Sequence, residues 1–528
     1  MLPTSSMPGG PRPRLAGLAC GVTAAAMALA LAGCMSTGPE PRHAAPRVDV
    51  ATHSSRAIGS LTTETAAWPA QDWWRAYGDP QLDRLVEGAN AASPTVAGAL
   101  ARVRQAAALE GAVASALAPQ AGVSVRSARQ RYSENGSVPK PLAGSWQWVN
   151  DASVSLGYEL DFWGKNGAAV AAAAGRVNAR AAEAQAARLA VSGAVVQAYL
   201  RLDHLYAQRD LAEQELRQRS RILELVRQRV SAQLDSKAEL KVAEIGVPAA
   251  RGQIAALDEA LALTRGQLAA LTAQGQDAAE AIARPQLALA RPGAAAPNVP
   301  ANVPAALLGR RPELVALRWQ LEAAGGEIEV ARAQFYPTVN LSVSGGLASL
   351  GFDRLLQGAS RSFAAGPLVT LPLLDGGRLR ANLAGRHADY DIVLAQYDAA
   401  VIEAMRDVTA QLTSLRWLGE RMREQDAALD AAEEAYDLAE QRYRAGLGNF
   451  VQVLIAETQV VAQRRGQAGL AARALELDVN LVRALGGGYR EVAATTSNTT
   501  PNTTPNTTAS TTAGTTNEPP SENRHGHQ

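Results

Sequence analysis

Cysteine is nearly absent: the 528 residues hold two, Cys20 and Cys34. Both lie in or beside an N-terminal apolar run, so no disulfide framework is available to the rest of the chain. Aromatic residues are scarce, at 5%. The apolar share is largely alanine, which suits close helix packing better than a thick globular core. Charge of one sign is also missing. With 51 basic and 50 acidic side chains the net charge is +1, and no nucleic-acid partner is expected. After the N-terminus no run reaches the ~18 apolar residues of a spanning helix. A membrane β-barrel is not excluded by this, because its strands are short and alternating. The six histidines, at 43, 53, 204, 387, 525 and 527, include no pair at ligand spacing on a folded helix. There is no glycine-rich phosphate loop and no nucleophile elbow. No metal, cofactor or catalytic residue is expected, and the chain does not read as an enzyme.

What is present begins with a targeting segment. Arg12 and Arg14 precede the apolar stretch 15–32, and Leu31-Ala32-Gly33-Cys34 follows. Basic flank, apolar run, small residues and cysteine stand in the order of a bacterial lipoprotein signal. Residues 1–33 therefore read as signal peptide, with Cys34 as the lipidated first residue of the mature chain. Met35 after it is compatible with the outer membrane. Residues 34–67 read as a tether. The tail 489–528 is rich in Thr, Asn and Pro, and too polar to build a core.

Between them a plan is executed twice, in residues 68–275 and 303–488, around a Pro/Ala linker at 276–302. Each half opens with helix, from Pro94 or Pro312 to Pro119 or Pro337. Period-2 alternation follows. Strands are expected at about 121–132 and 146–161 in the first half, and at about 338–348 and 362–374 in the second. Trp146, Trp148, Ala152, Val154, Leu156, Tyr158 and Leu160 share one face, opposite Gln147, Asp151, Ser153, Ser155 and Glu159. A half-buried soluble hairpin alternates in this way, and so does a barrel strand with lipid outside and water inside.

From Lys165 to about Gln233 the chain is free of proline, which predicts a helix of roughly 100 Å at about 1.5 Å per residue. Such a length belongs to an elongated assembly. The returning segment keeps a 3-4 seam through Leu240, Ala243, Val247, Ala250, Ile254, Leu257, Leu261, Thr264, Leu268 and Leu271, with Pro248 expected to kink or break it. The helix reversals are expected at about 231–238 and 445–450. Residues 225–244 (LVRQRVSAQLDSKAELKVAE) align without a gap on 438–457 (LAEQRYRAGLGNFVQVLIAE). Gln233 thus corresponds to Gly446, Glu239 to Gln452.

The chain resembles the TolC-like outer-membrane factors, in particular their NodT/OprM-like efflux lipoproteins. The resemblance is carried by Asp72-Trp73-Trp74 with Gly78-Asp79-Pro80-Gln81-Leu82, by the segment 158–165 (YELDFWGK), by Arg310-Arg311-Pro312-Glu313-Leu314, by the segment 331–337 (ARAQFYP), and by the segment 372–378 (PLLDGGR). With the duplication these motifs cover about residues 68–488. The resemblance implies a homotrimer of mainly α chains. Their duplicated long-helix hairpins would form a periplasmic α-barrel, and four strands per chain would build one shared 12-stranded outer-membrane β-barrel. It implies a passive export duct for drugs or other small solutes, joined through a periplasmic adaptor (membrane fusion protein) to an inner-membrane pump of RND type. Outer-membrane lipid is a further expected partner, and the only attached group expected is the covalent lipid on Cys34. The implied adaptor-docking tip is Leu234, Gly446 and Leu447. The implied periplasmic gate is Glu239, Gln452 and Ile455. Ile455 stands where related proteins often carry Asp, so an apolar constriction is an alternative to an acidic ring. The outer-membrane duct of a type I secretion system is the closest competing function. A coiled-coil structural lipoprotein without a channel is a more distant one, since it leaves the two strand pairs unexplained.

Overall fold

The structure, a computed structural model, describes residues 62–63, 68–288, 299–300 and 309–491. The lipidation residue Cys34, the signal peptide, residues 289–298 of the linker and the tail from 492 lie outside the described residues.

Two short helices open the folded part, α1 (Pro80–Ala92) and α2 (Pro94–Ala114). Proline stands at the start of both, where its missing N–H costs nothing. Strands β1 (Gln120–Arg131) and β2 (Trp146–Leu160) follow, then α3 (Lys165–Ser231) and its return α4 (Lys237–Leu271). The second half repeats this with α5 (Pro312–Ala333), β3 (Thr338–Leu350), β4 (Arg361–Thr370), α6 (Arg378–Arg444) and α7 (Phe450–Ala484). Both α3 and α6 have 67 residues, and both α4 and α7 have 35. At about 1.5 Å per residue α3 and α6 each extend roughly 100 Å.

Two expectations need correction. The fourth strand ends at Thr370 rather than near 374. Pro372 has no N–H to give a ladder, so pairing stops short of it. Of the kink or break expected at Pro248, the break does not occur, because α4 is continuous through it. Its seam supplies the reason: Ala243, Ala250, Leu257, Leu261, Thr264 and Leu268 are all buried, and that packing outweighs one lost backbone bond.

The helices pack as expected from their small residues. The helix α3 packs on its return α4, α6 on α7, and α5 on both α3 and α6. Where α3 meets α5 the approach is very close. A Cβ built on Gly326 would lie 2.9 Å from the Cβ of Ala172, and Ala172 and Ala323 are themselves buried. At the root of the hairpins the aromatic segment that opens the fold is locked down. Trp73 and Tyr77 are buried, and the Tyr77 hydroxyl donates to Asp478 at 2.7 Å. Asp79 caps α1 through the Gln81 N–H at 2.9 Å and also accepts the Gln286 N–H at 2.7 Å, so it ties the start of the fold to the linker.

The four strands form one antiparallel sheet in the order β1-β2-β3-β4. Its register keeps the two faces separate across all strands. Val123 faces Val154, which faces Gly345, which faces Phe363; Leu156 faces Val343, which faces Ala365. The opposite face carries Ser124, Ser153, Ser155, Ser342, Ser344 and Ser362. Both edges, β1 and β4, are left without a partner strand among the described residues.

Candidate functional site

The two hairpin tips share one backbone design. In the first, the Leu234 N–H reaches the Arg229 carbonyl at 2.9 Å and the Gln233 N–H reaches Val230 at 3.0 Å. In the second, Leu447 reaches Arg442 at 2.8 Å and Gly446 reaches Tyr443 at 3.1 Å. Both are Schellman turns, which need a left-handed residue at the turn. Gly446 supplies it at φ 72°, and Gln233 is driven into the same region at φ 62°. The first tip is therefore strained where the second is relaxed, because a side chain in that region crowds the backbone by roughly 1 kcal/mol.

The helices leave the tips through matched caps. Ser236 begins α4 and Asn449 begins α7. Ser236 accepts the Glu239 N–H at 3.3 Å, while its own N–H is taken by the Glu239 carboxylate at 2.7 Å. In the second tip Asn449 accepts the Gln452 N–H at 3.0 Å. The carboxylate of Glu239 is thus engaged in a capping box, whose Ser-x-x-Glu spacing was legible in the sequence.

The tips are clasped to each other by residues that sequence reasoning did not single out for this. Arg229 of α3 pairs with Asp235 of its own tip at 3.0 Å, with side chains 15% and 6% exposed. Tyr443, at the end of α6, donates its hydroxyl to the same carboxylate. The Arg229 guanidinium lies 4.4 Å over the Tyr443 ring and also reaches the Tyr443 carbonyl at 3.2 Å. Beneath it Ile222, Leu223, Val226, Tyr443, Phe450 and Val453 form one buried cluster. Burial pushes the Asp235 carboxyl up, but the hydrogen bonds from Arg229 and Tyr443 outweigh it and hold it below the usual range. Burial and the bond to Asp235 raise the Tyr443 phenol. Tyr443 therefore serves both the helix seam and the clasp.

The other residues implied at the tips divide by position. Leu234 and Leu447 project into solvent, 65% and 73% exposed, from equivalent places. Nothing approaches the position a Cβ would take on Gly446. Gln452 is exposed, and Ile455 is exposed beside it on α7. Val242 holds the place of Ile455 on α4 and is exposed too. Two branched apolar side chains therefore face outward from matching turns of the returning helices, just above Glu239 and Gln452.

Between two and ten residues further along α7 a charged group bridges the two coiled coils. Glu215 and Arg219 of α3 are paired at 2.6 Å, and Arg465 of α7 joins Glu215 at 2.9 Å. Glu457 of α7 faces Arg219 at 3.8 Å with its side chain 2% exposed. Burial pushes its carboxyl up to about 7, with Arg219 pulling it down and Glu215 adding to the rise. A carboxyl with a raised folded pKa binds its proton better in the folded chain. Stability therefore falls as pH rises from about 4.5 to about 7, and is level above. Glu457→Gln should remove that slope and stabilise the protein at pH 8 by up to roughly 3 kcal/mol, at about 1.4 kcal/mol per pKa unit. Urea unfolding at pH 5 and pH 8 reads the effect; an unchanged slope in the variant contradicts the assignment.

At the other end of the molecule the sheet is bounded by aromatic side chains at both ends of its strands. Near the connecting loops stand Trp146, Trp148, Phe352 and Phe363, all exposed. Near the helices stand Tyr158, Phe162 and Trp163, whose ring stacks on Tyr336 at 4.7 Å. From Trp148 to Tyr158 the strand advances roughly 33 Å, or roughly 23 Å along the normal at a tilt of about 45°. That matches the apolar band of an outer-membrane barrel, about 25 Å tall. The other face is polar but nearly neutral. Arg126 lies opposite Asp151, and Glu159 pairs with Lys165.

Comparison with known proteins agrees with this geometry. The model of the family described as outer membrane efflux protein matches residues 85–274 and 303–487, one segment per repeat. The chain is 38% identical over 366 residues to the fusaric acid resistance protein FusA of Burkholderia cepacia, covering 69% of this chain and 68% of that one. It is 31% identical over 461 residues to the multidrug resistance outer membrane protein MdtP of Escherichia coli K12, covering 85% and 93%. The crystal structure of the outer membrane protein VceC from Vibrio cholerae superposes with a TM-score of 0.74 at 33% identity, covering 80% of this chain and all of that one.

Proposed function

The chain belongs to the outer membrane efflux protein family, and from that premise we propose that three copies close their four-stranded sheets into one barrel of twelve strands. The protein is an outer-membrane efflux channel that extends into the periplasm. The observation that carries the trimer is the sheet itself. Four strands with one apolar and one polar face cannot close alone, and in lipid their two open edges would leave backbone groups unpaired. The long hairpins then continue the duct from the membrane as a helical tube. Cys34 carries the lipid that anchors the chain to the membrane.

Transport is passive. A periplasmic adaptor docks on Leu234, Gly446 and Leu447 at the tips, and couples the duct to an inner-membrane pump of the RND type. The adaptor opens the tips by binding the open arrangement better than the closed one. Two relatives are named for resistance to fusaric acid and to multiple drugs. Drugs or similar small organic solutes are accordingly the class of cargo. At the closed end the gate combines a mixed ring of Glu239 and Gln452 with an apolar ring of Ile455 and Val242, which excludes water rather than repelling one sign of charge.

Native mass spectrometry and planar-bilayer recording test this together. A trimer with a small resting conductance is expected. Ile455→Asp should raise that conductance several-fold by wetting the apolar ring, whereas Glu239→Gln, which mainly loosens a cap, should change it little. A stable monomer that conducts under no condition overturns the channel reading; equal effects of the two substitutions overturn the division of the gate.

A further inference from the structure

The charges on the two faces of the sheet are distributed differently. On the serine-lined face Arg126, Asp151 and Glu159 are spread along the strands, and each lies opposite or against a charge of the other sign. On the apolar face every charged side chain is an arginine: Arg129 and Arg131 of β1 and Arg361 of β4. All three sit at the ends of the strands nearest the connecting loops. Across the ladder Arg129 lies opposite Trp148 and Arg131 opposite Trp146, and the Arg129 guanidinium stands 5.8 Å over the Trp146 ring. Arg361 begins β4 two residues before Phe363. The arginines therefore occupy the outer aromatic belt.

Their pairing is incomplete. Arg131 has Glu134 at 3.0 Å, and Arg354 in the neighbouring loop has Asp353 at 3.6 Å. Arg129 and Arg361 are exposed and join no carboxylate among the described residues. An arginine turned toward lipid is costly at depth and tolerable only near the headgroups. Two uncompensated ones in the same belt call for an anion from the membrane. They also stand on the two open edges of the sheet. When β4 of one copy meets β1 of the next, Arg361 comes to the same junction as Arg129 and Arg131 of its neighbour.

We propose that Arg129 and Arg361, supported by Arg131, form a binding site for the phosphate of an outer-leaflet lipid headgroup at each junction between copies. Planar guanidinium groups bind phosphate oxygens in a fork. Trp146, Trp148 and Phe363 beside them offer the apolar surface on which the acyl chains lie. The ligand is thus a phosphorylated lipid rather than free phosphate. The site rests on the trimeric-barrel reading above, since it is completed only where two copies meet.

The test uses full-length trimers extracted in mild detergent, stripped of lipid, and mixed with bis-phosphorylated lipid A or its dephosphorylated form. Native mass spectrometry counts bound lipid, and bilayer conductance is recorded on the same preparation. Wild-type trimers should retain the phosphorylated lipid about tenfold better, the scale of a charge-assisted hydrogen bond. The pair Arg129→Gln with Arg361→Gln should abolish that preference. The pair Arg129→Lys with Arg361→Lys should keep part of it, and Arg126→Gln on the other face should leave it intact. Millimolar inorganic phosphate should not displace the lipid. Equal retention of both lipid forms, an undiminished preference in the Gln pair, or displacement by phosphate overturns the site. A conducting trimer without the preference defeats this site alone, whereas a non-conducting monomer defeats the channel reading beneath it.

Discussion

Asp235→Asn should unlock the resting channel, raising its conductance in planar bilayers at least tenfold. Asp235 is the acceptor on which both tips converge, taking Arg229 at 3.0 Å from its own repeat and the Tyr443 hydroxyl from the other. Removing one partner of a mostly buried ion pair costs roughly 3–5 kcal/mol, because the charge left behind stays desolvated. The Asn variant strands Arg229 in this way. The loss falls on the arrangement that holds the tips together and is relieved when they part, so it shifts the population toward the open form. About 1.4 kcal/mol is worth tenfold, and the clasp recurs in every copy of the trimer. Tyr443→Phe should act in the same direction but less. It removes one hydrogen bond to a charged group, roughly 1.5–3 kcal/mol, and keeps the ring against Phe450 and under Arg229. Acid should mimic the Asn variant. A carboxyl with a depressed folded pKa contributes fully above the ordinary carboxylate range, and its contribution is lost as pH falls through the depressed value. Conductance should then rise in strongly acidic buffer in wild type and be flat in Asp235→Asn. If trimers of both variants stay intact and conduct like wild type, the clasp does not hold the gate.

The second large effect concerns the sheet. Val154→Arg should abolish insertion into the outer membrane, and Ser155→Arg should be tolerated. The two positions are neighbours on β2 and both are exposed in the isolated chain. Val154 lies in the middle of the apolar face, opposite Val123 and Gly345, whereas Ser155 lies on the serine-lined face opposite Gly122 and Ser344. An arginine facing lipid near the midplane costs roughly 2–4 kcal/mol per chain, so a trimer bears it three times. The same side chain facing a wet lumen costs little and narrows the duct. Recovery of trimers in outer-membrane fractions distinguishes the two. Equal recovery would mean that the faces have been assigned the wrong way or that the sheet does not enter lipid.

Much of this architecture was legible along the chain. Strand faces follow a period of two, and a slip of one residue would reverse them, so Trp146 to Leu160 could be assigned to faces before any fold was known. Helix seams follow the 3-4 spacing, and the side chains that spacing selects from Leu240 to Leu271 are buried or half-buried. The duplication placed the tips, because Gly446 in one repeat marked the turn that Gln233 occupies in the other. Expectations drifted where a local rule met packing. Pro248 did not interrupt α4, whose buried seam continues on both sides of it. The strand β4 stopped early because Pro372 cannot join the ladder.

The clasp and the buried acid were not legible in the same way. Tyr443 and Asp235 are 208 residues apart, and neither position departs from an ordinary helix-end composition. Glu457 is the first acidic residue of α7, with the next at Glu476, and nothing local says whether it faces water or a neighbouring helix. By itself the sequence determined periodicity, length and repetition, and so the sheet's two faces, the 67-residue helices and the paired tips. Those properties depend on spacing between near neighbours, which the order of residues states directly. Only the tertiary structure decided which charges were removed from water and brought together. That depends on how the second repeat is laid against the first, and it gathered Arg229, Asp235 and Tyr443 into one group between the tips.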